Sequence, residues 1–312
     1  GVAAFADALQ SVPPEPPRGF RYWYTADLGA WADARYHVSF RQYSRRVQDY
    51  EYLNRQGARG WNLAYGFTHI SRSGREWFDG PRDAQPVADM DWDHLPGTTS
   101  RVGAHPHNDD ADPSSYGHSL NYGRSQYSGG AGLDDGGMAA FVLLPTYGDF
   151  QAHKSLSFFP GGFLSVGSEI TAAACADSTR PVHTTLLQWV APTSQEQLLV
   201  DGVAVLPGQS ATHLPQVRWC FIDSVGLALP MPTDLWVARN GRVTTIWLDH
   251  GTAPRGAGYA YAVLPAATVE ETANFAAAPP VRVVHQDRLA HVVVDTLRGT
   301  TSAAFFAAGE AA

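Results

Sequence analysis

Lysine is almost missing: Lys154 is the only one in 312 residues, and every other member of the 22 lysines and arginines is an arginine. Arginine offers a bidentate fork for carboxylates and sulfates, although a GC-rich genome is the plainer cause of such a bias. Cysteine is nearly as scarce. Cys175 and Cys220 cannot build a disulfide framework, and no CxxC or Cys/His zinc spacing is present. The sequence leaves open whether the two pair or stay as buried thiols. Charged residues make up only 17%, and 22 basic against 30 acidic side chains give a net charge of −8, which argues against a nucleic-acid partner. No run approaches the roughly eighteen consecutive apolar residues of a membrane-spanning helix, so no membrane partner is expected. The opening Gly1-Val-Ala-Ala-Phe-Ala-Asp7 has neither an initiator methionine nor a basic, apolar leader, and the chain reads as processed, truncated or cut from something longer. Signature loops of nucleotide, serine-hydrolase and zinc-protease chemistry (GxxxxGKS/T, strand-linked GxGxxG, GxSxG, HExxH) are absent as well.

What is present is a β pattern. Apolar types reach 44%, enough for a substantial core, while 30 glycines and 21 prolines leave little room for long helices. Val2, Phe5 and Leu9 suit the last turns of a helix, and Pro13-Pro14-Glu15-Pro16-Pro17 then enforces an extended linker. Residues 1–19 are set apart on that basis. From Phe20, aromatic and β-branched runs at 20–25, 36–43, 61–70, 138–145, 155–159, 182–190, 197–205, 217–222, 234–239 and 243–248 alternate with turn clusters. That is the mark of a large all-β antiparallel sandwich over residues 20–279. Asn240-Gly241 between alternating runs predicts a type I′ hairpin. Thr268 and Glu271 fit a capping box on a helix running to Ala278, ahead of Pro279-Pro280. Strands resume at 281–286 and 291–296, so residues 280–312 read as the start of a second, small β-sandwich. The glycine-rich stretch 129–136 precedes a strand instead of opening a helix, which predicts a tight loop with positive φ angles and no phosphate cradle.

Three groups of residues suggest chemistry by composition. His105, His107, Asp109, Asp110 and Asp112 share one irregular loop region and have the residue types of a cation site, although short acidic loops commonly have them without one. Asp89, Asp91 and Asp93 alternate, so on a strand their carboxylates would share a face and repel unless a cation or arginines neutralise them. A solvated turn is the plainer account. Nine tryptophans and thirteen tyrosines exceed the needs of a small core, and exposed aromatics beside polar loops are the usual platform for sugar rings.

Several longer segments occur in a fixed order. They begin with Tyr43-Ser-Arg-Arg-Val-Gln-Asp-Tyr-Glu51-Tyr-Leu-Asn54, Gly60-Trp61 and Gly66, followed by Met90-Asp-Trp-Asp-His-Leu-Pro96-Gly97-Thr98-Thr99-Ser100. Then come Tyr127-Ser-Gly-Gly130, Gly137-Met138-Ala-Ala-Phe, His153-Lys-Ser-Leu-Ser-Phe-Phe and Val166-Gly-Ser-Glu-Ile. His183-Thr-Thr-Leu-Leu-Gln, Asp249-His-Gly and Tyr259-Ala-Tyr-Ala-Val-Leu-Pro265 complete the set. Together they resemble polysaccharide lyase family eight, the hyaluronate, chondroitin and xanthan lyases, over about residues 20–307. The stretch 182–307 is most similar to chondroitin ABC-type members.

The resemblance implies an N-terminal α/α toroid, absent here apart from residues 1–10. It also implies a central super-sandwich of galactose-mutarotase type and a C-terminal sandwich of which only the first strands are present. The implied reaction is β-elimination on a uronic-acid polymer. Asparagine, histidine, tyrosine and arginine would come from the toroid and a glutamate, matched by Glu51, from the sandwich. Asn54 and Arg46 would bind substrate beside it. The alternative for Glu51 is a strand-end carboxylate paired with Arg45 or Arg46. Asp91 and Asp93 match positions that bind calcium in some relatives, whereas Val102 and Gly103 stand where further ligands would be expected. No cofactor is required on this reading, and calcium is the one candidate. The expected partner is an acidic polysaccharide, bound weakly by this chain alone through arginines and aromatics, and the expected location is outside a bacterial cell. Two other classes fit a sugar-binding sandwich: a non-catalytic carbohydrate-binding module, and an aldose-epimerase-like enzyme needing its own His/Glu pair in the sandwich cleft.

Overall fold

The computed structural model describes residues 18–50, 58–74, 76–77, 89–103, 122–146, 149–173, 179–206, 208 and 210–307. Four short antiparallel strands, β1 (Gly19–Trp23), β2 (Leu28–Ala32), β3 (His37–Arg41) and β4 (Thr68–Ser71), form a first sheet in that order. The second sheet has twelve strands. It comprises β5 (Thr99–Arg101), β6 (Ser128–Leu133), β7 (Gly136–Leu143), β8 (Phe150–Phe159), β9 (Gly162–Ala172) and β10 (Val182–Val190). It continues with β11 (Leu198–Val200), β12 (Val203–Val205), β13 (Thr212–Ile222), β14 (Val225–Asn240), β15 (Val243–Asp249) and β16 (Ala257–Leu264). Its spine runs β12-β11-β13-β14-β16-β9-β8-β7-β6. The 16-residue β14 forks the sheet: residues 226–228 pair with β16, residues 236–240 with β15, and β15 leads on to β10 and β5. Helix α1 (Val269–Ala277) and a three-stranded sheet, β17 (Val281–Gln286), β18 (Ala290–Asp295) and β19 (Thr300–Phe305), complete the described chain. The capping box expected at Thr268 and Glu271 is present.

The first sheet lies on the β6–β8 end of the second. Phe20, Trp31 and Phe40 converge on Phe158, with ring centroids 5.7, 6.0 and 5.4 Å away. This packing explains the glycine-rich stretch and corrects the reading of it as a positive-φ loop. Residues 128–133 are strand β6, and none of the glycines from 129 to 137 has a positive φ. A Cβ at Gly132 or Gly137 would instead stand 2.5 or 2.3 Å from the Phe20 ring, and one at Gly130 2.8 Å from that of Tyr22. The glycines give two aromatic rings a floor.

Three local expectations shift in the same way. Residues 61–66 are turns ahead of β4, not strand: Leu63 N–H donates to Gly60 O at 3.0 Å and Tyr65 N–H to Asn62 O at 2.9 Å, and the turns bury Trp61 and Tyr65. The run 197–205 is a hairpin, β11 to β12, closed by Asp201 (φ 48°) and Gly202 (φ 84°), the paired positive angles of a type I′ turn. At the expected type I′ site Asn240 still pairs with Val243, so Gly241 (φ 55°) and Arg242 form the loop and only the first is positive, the φ signs of type II′.

The third sheet is fastened to the second through polar groups. His291 on β18 is wholly buried. Its Nε2 lies 2.9 Å from Ser168 Oγ and its Nδ1 2.8 Å from Ser155 Oγ. Because Ser168 donates its own proton to Asp287 O at 2.7 Å, it accepts from His291 Nε2–H, and Ser155 donates to Nδ1. Cys220 is a buried thiol; Cys175 lies outside the described residues.

Candidate functional site

The run from Arg41 to Tyr50 carries the chain from β3 toward residues 51–57, and a buried polar knot fixes it. Asp27 is the centre. It sits in the β1–β2 turn with φ 46° and no exposure, and its carboxylate accepts from Ser44 Oγ and Arg46 Nη2. A buried carboxylate persists only when paired and hydrogen-bonded, so these two partners clamp the start of the run. Its backbone holds it too: Gln42 N–H donates to Asp27 O at 2.8 Å, and Gly123 N–H to Ser44 O at 3.1 Å. The Tyr22 hydroxyl donates to Gln42 Oε1 at 2.7 Å, and Ser128 Oγ donates to the same oxygen at 2.9 Å. Burial, more than any neighbour, pushes the Tyr22 phenol above its ordinary range. Arg46 therefore stands five residues before Glu51 with its side chain 40% exposed and, among the described residues, with Asp27 as its carboxylate partner. Glu51 and Asn54 lie outside the described residues.

Leu95-Pro96-Gly97-Thr98-Thr99 builds a second knot. Gly97 has φ 79°, and a Cβ there would stand 2.5 Å from both Gly66 O and Thr68 Oγ1, so glycine is required. Beneath it Lys154, almost wholly buried, donates to Gly97 O at 2.6 Å, Tyr65 O at 2.9 Å and Thr99 Oγ1 at 3.0 Å. Burial holds its pKa well below that of ordinary lysine. The chain's single lysine is thus spent tying β8 to two loops.

Asp91 and Asp93 lie at the entrance to this turn. Asp91 Oδ1 accepts the Asp93 N–H at 3.0 Å, and Oδ2 lies 2.7 Å from His94 Nδ1. His94 Nε2 in turn is 2.9 Å from His183 Nδ1. With His94 donating to Asp91, His183 donates to His94. Its Nε2 is then left 3.5 Å from Asp249 Oδ1, with no hydrogen bond among the described residues. Burial, reinforced by the adjacent His94, outweighs Asp249 and Asp91 and brings His183 down to about 4. For Asp91 burial opposes ionisation, but the hydrogen bond from His94 Nδ1–H and the N–H groups of Asp93 and His94 prevail, holding the carboxyl below its usual value. Asp91 is committed to His94, and among the described residues no three His, Cys, Asp or Glu side chains converge as a cation shell. No catalytic step is assigned to calcium. The His105–Asp112 cluster lies outside the described residues.

Residues 18–242 match the family model described as polysaccharide lyase family 8, super-sandwich domain. The chain belongs to polysaccharide lyase family 8. Among curated relatives, it is 25% identical to the chondroitin sulfate ABC endolyase of Proteus vulgaris over 98% of this chain and 31% of that protein. It is 27% identical to chondroitinase-AC of Pedobacter heparinus over 74% of this chain and 33% of that protein. The chain spans about a third of the length of the curated relatives it matches. In solved structures the same fold occurs in a Paenibacillus xanthan lyase, with TM-score 0.81 and 17% identity over 98% of this chain and 31% of that one. It also occurs in the Streptomyces coelicolor chondroitin AC lyase, with TM-score 0.74 and 21% identity over 97% of this chain and 41% of that one. For this family 8 super-sandwich, motif order marked the run to Glu51 and the proline-glycine-threonine turn. It gave no sign of Asp27, or of the contact between His94 and His183, which lie 89 residues apart.

Proposed function

We propose that this chain is the super-sandwich part of a secreted bacterial lyase that cleaves uronic-acid-containing glycosaminoglycans, of the hyaluronan or chondroitin type, by β-elimination. The observation that carries the reading is the match of residues 18–242 to the family 8 super-sandwich, joined to similarity with a chondroitin sulfate endolyase along nearly the whole chain. In the proposed reaction a base removes the C5 proton, and the C–H electron pair forms a C4–C5 double bond. The C4–oxygen pair leaves with the departing sugar, whose oxygen takes up a proton. No external cofactor enters this balance. The C5 proton is only weakly acidic, so donors must neutralise the neighbouring carboxylate while the base acts. In this chain Glu51 orients and charge-balances partners across the cleft, and Arg46 and Asn54 offer donors to the uronate. The base and the neutralising amide come from a toroid in the same protein, so the 312-residue chain alone turns over no substrate.

The test is the product. A protein carrying this chain with its toroid, incubated with chondroitin sulfate and hyaluronan, yields a chain end with the ultraviolet absorbance of an unsaturated uronate. Cleavage to saturated ends only, or turnover by the isolated 312 residues after repurification, would overturn the assignment of roles.

A further inference from the structure

We propose that Lys154, Thr99, Thr184 and His250 form a buried proton relay, with Lys154 as its reversible inner end and His250 as its port to solvent. Lys154 lies on β8, almost wholly buried, and its Nζ meets Thr99 Oγ1 at 3.0 Å. Thr99 on β5 pairs in register with Thr184 on β10, which brings the two hydroxyl oxygens to 2.9 Å. Neither threonine has any exposure. Thr184 Oγ1 in turn lies 2.8 Å from Nε2 of half-buried His250, the residue that follows β15. One unbroken line of hydrogen bonds therefore joins the chain's single lysine to a partly exposed imidazole.

The line is complete in either direction. An ammonium only donates, so with Lys154 charged Thr99 accepts from it and donates to Thr184. Thr184 then donates to His250 Nε2, and the imidazole proton sits on Nδ1. With Lys154 an amine, its two hydrogens stay on Gly97 O and Tyr65 O, at 2.6 and 2.9 Å, and its lone pair takes the Thr99 hydrogen. Thr99 now accepts from Thr184, and Thr184 from His250 Nε2–H. The step between the two states balances: Lys154 gives a proton to Thr99, each hydroxyl passes its own hydrogen outward, His250 Nε2 gains one, and the Nδ1 proton leaves to solvent. Both loops stay tied throughout, so the charge beneath the Pro96-Gly97 turn changes without unfastening it.

The surroundings supply the drive. No carboxylate among the described residues pairs with Lys154, and burial alone acts to lower its pKa. It shares an enclosed cavity of about 10 Å³ with Arg41, another cation. The Phe141 ring, 5.9 Å from Nζ, compensates an ammonium less than a carboxylate would. Around His250 stand His183, Asp249 and the Tyr259 ring, whose centroid is 6.4 Å away. Burial first, then the charges of His183 and Lys154, outweighs Asp249 and brings His250 down to about 4, so the imidazole carries the extra proton only in transit. Burial keeps the Tyr259 and Tyr261 phenols beside Thr99 and Ser165 neutral.

The single lysine makes the test direct, because isotope labelling of lysine in the 312-residue chain gives one side-chain signal. Its Cε and Nζ shifts are followed against pH by NMR, together with the imidazole nitrogens of His250, assigned as the signals lost in His250→Phe. Lys154 should titrate more than about one pH unit below the ordinary lysine value of about 10.4. Across the same range His250 should pass from the Nδ1–H to the Nε2–H tautomer. Thr184→Val strands the Thr99 hydrogen unless Lys154 accepts it, so the Lys154 midpoint should fall by about one to two further pH units, and the His250 tautomer should no longer follow it. Thr184→Ser should restore both. Where Thr184→Val does not fold, His250→Phe removes the outer acceptor and should move the midpoint the same way. Three results would each overturn the relay: a wild-type midpoint within about one unit of the ordinary value, a His250 tautomer that ignores the Lys154 titration, or a midpoint left unchanged by the Thr184→Val or His250→Phe variant that folds.

Discussion

Acid should weaken this fold measurably, and His291 sets a calculable part of the effect. The imidazole has no solvent exposure and is neutral, donating from Nε2 to Ser168 and accepting at Nδ1 from Ser155. Protonation places a charge in a dry site and puts a second N–H against a hydroxyl that is already donating. Burial first, then the like charge of His153, brings its pKa down to about 3. An unfolded histidine titrates near 6.5. Between those values the unfolded chain binds the extra proton, so the stability is intact above about pH 6.5 and is lost progressively as pH falls toward 3. At pH 5 the loss relative to pH 7 is about 2 kcal/mol, a figure that depends on the unfolded value and hardly on the folded one once that lies below 5. His291→Gln keeps a donor and an acceptor but does not titrate. Urea unfolding followed by tryptophan fluorescence at pH 7 and pH 5 should show the wild type losing about 2 kcal/mol more than the variant. The comparison cancels His183 and His250, each depressed to about 4 by burial. Equal losses in the two proteins would refute the reasoning.

Gly137→Ala places a Cβ 2.3 Å from Phe20 Cγ and should cost about 1–3 kcal/mol by overpacking. Phe20→Leu in the same chain should recover part of that, and an unchanged thermal midpoint would contradict the packing argument. With His94 holding Asp91, millimolar calcium is expected to leave the midpoint where it is; a rise that Asp91→Asn abolishes would place the cation there after all.

The fold was largely legible because its signals are local. Period-two alternation marked the strands, and Thr268 with Glu271 marked the start of α1. The tight loop read into residues 129–136 failed because a ring from β1, more than a hundred residues earlier, decides what those glycines do. The Asn240-Gly241 hairpin kept its place but changed its turn, since cross-strand pairing extends through Asn240 and pushes the loop one residue on. Asp201-Gly202 adopted the type I′ geometry instead. The site was less legible for the same reason on a larger scale. Asp27, Arg46, Tyr22 and Ser128 meet only once the first sheet lies on β6, and no spacing rule joins residues 22 and 128. Glu51 was marked by the ordered family segments around it, because a lone carboxylate carries no pattern of its own.

The proposed role of Glu51, a charge-balancing carboxylate that the sandwich supplies to the elimination, is tested most directly by Glu51→Gln in the protein that carries both sandwich and toroid, reading unsaturated-product formation and thermal midpoint together. Turnover on chondroitin sulfate should fall by about a hundredfold or more, as for loss of one preorganised electrostatic partner, while the midpoint stays within about a degree of wild type. Full turnover in the variant, or a fall in activity matched by an equal fall in stability, would contradict it.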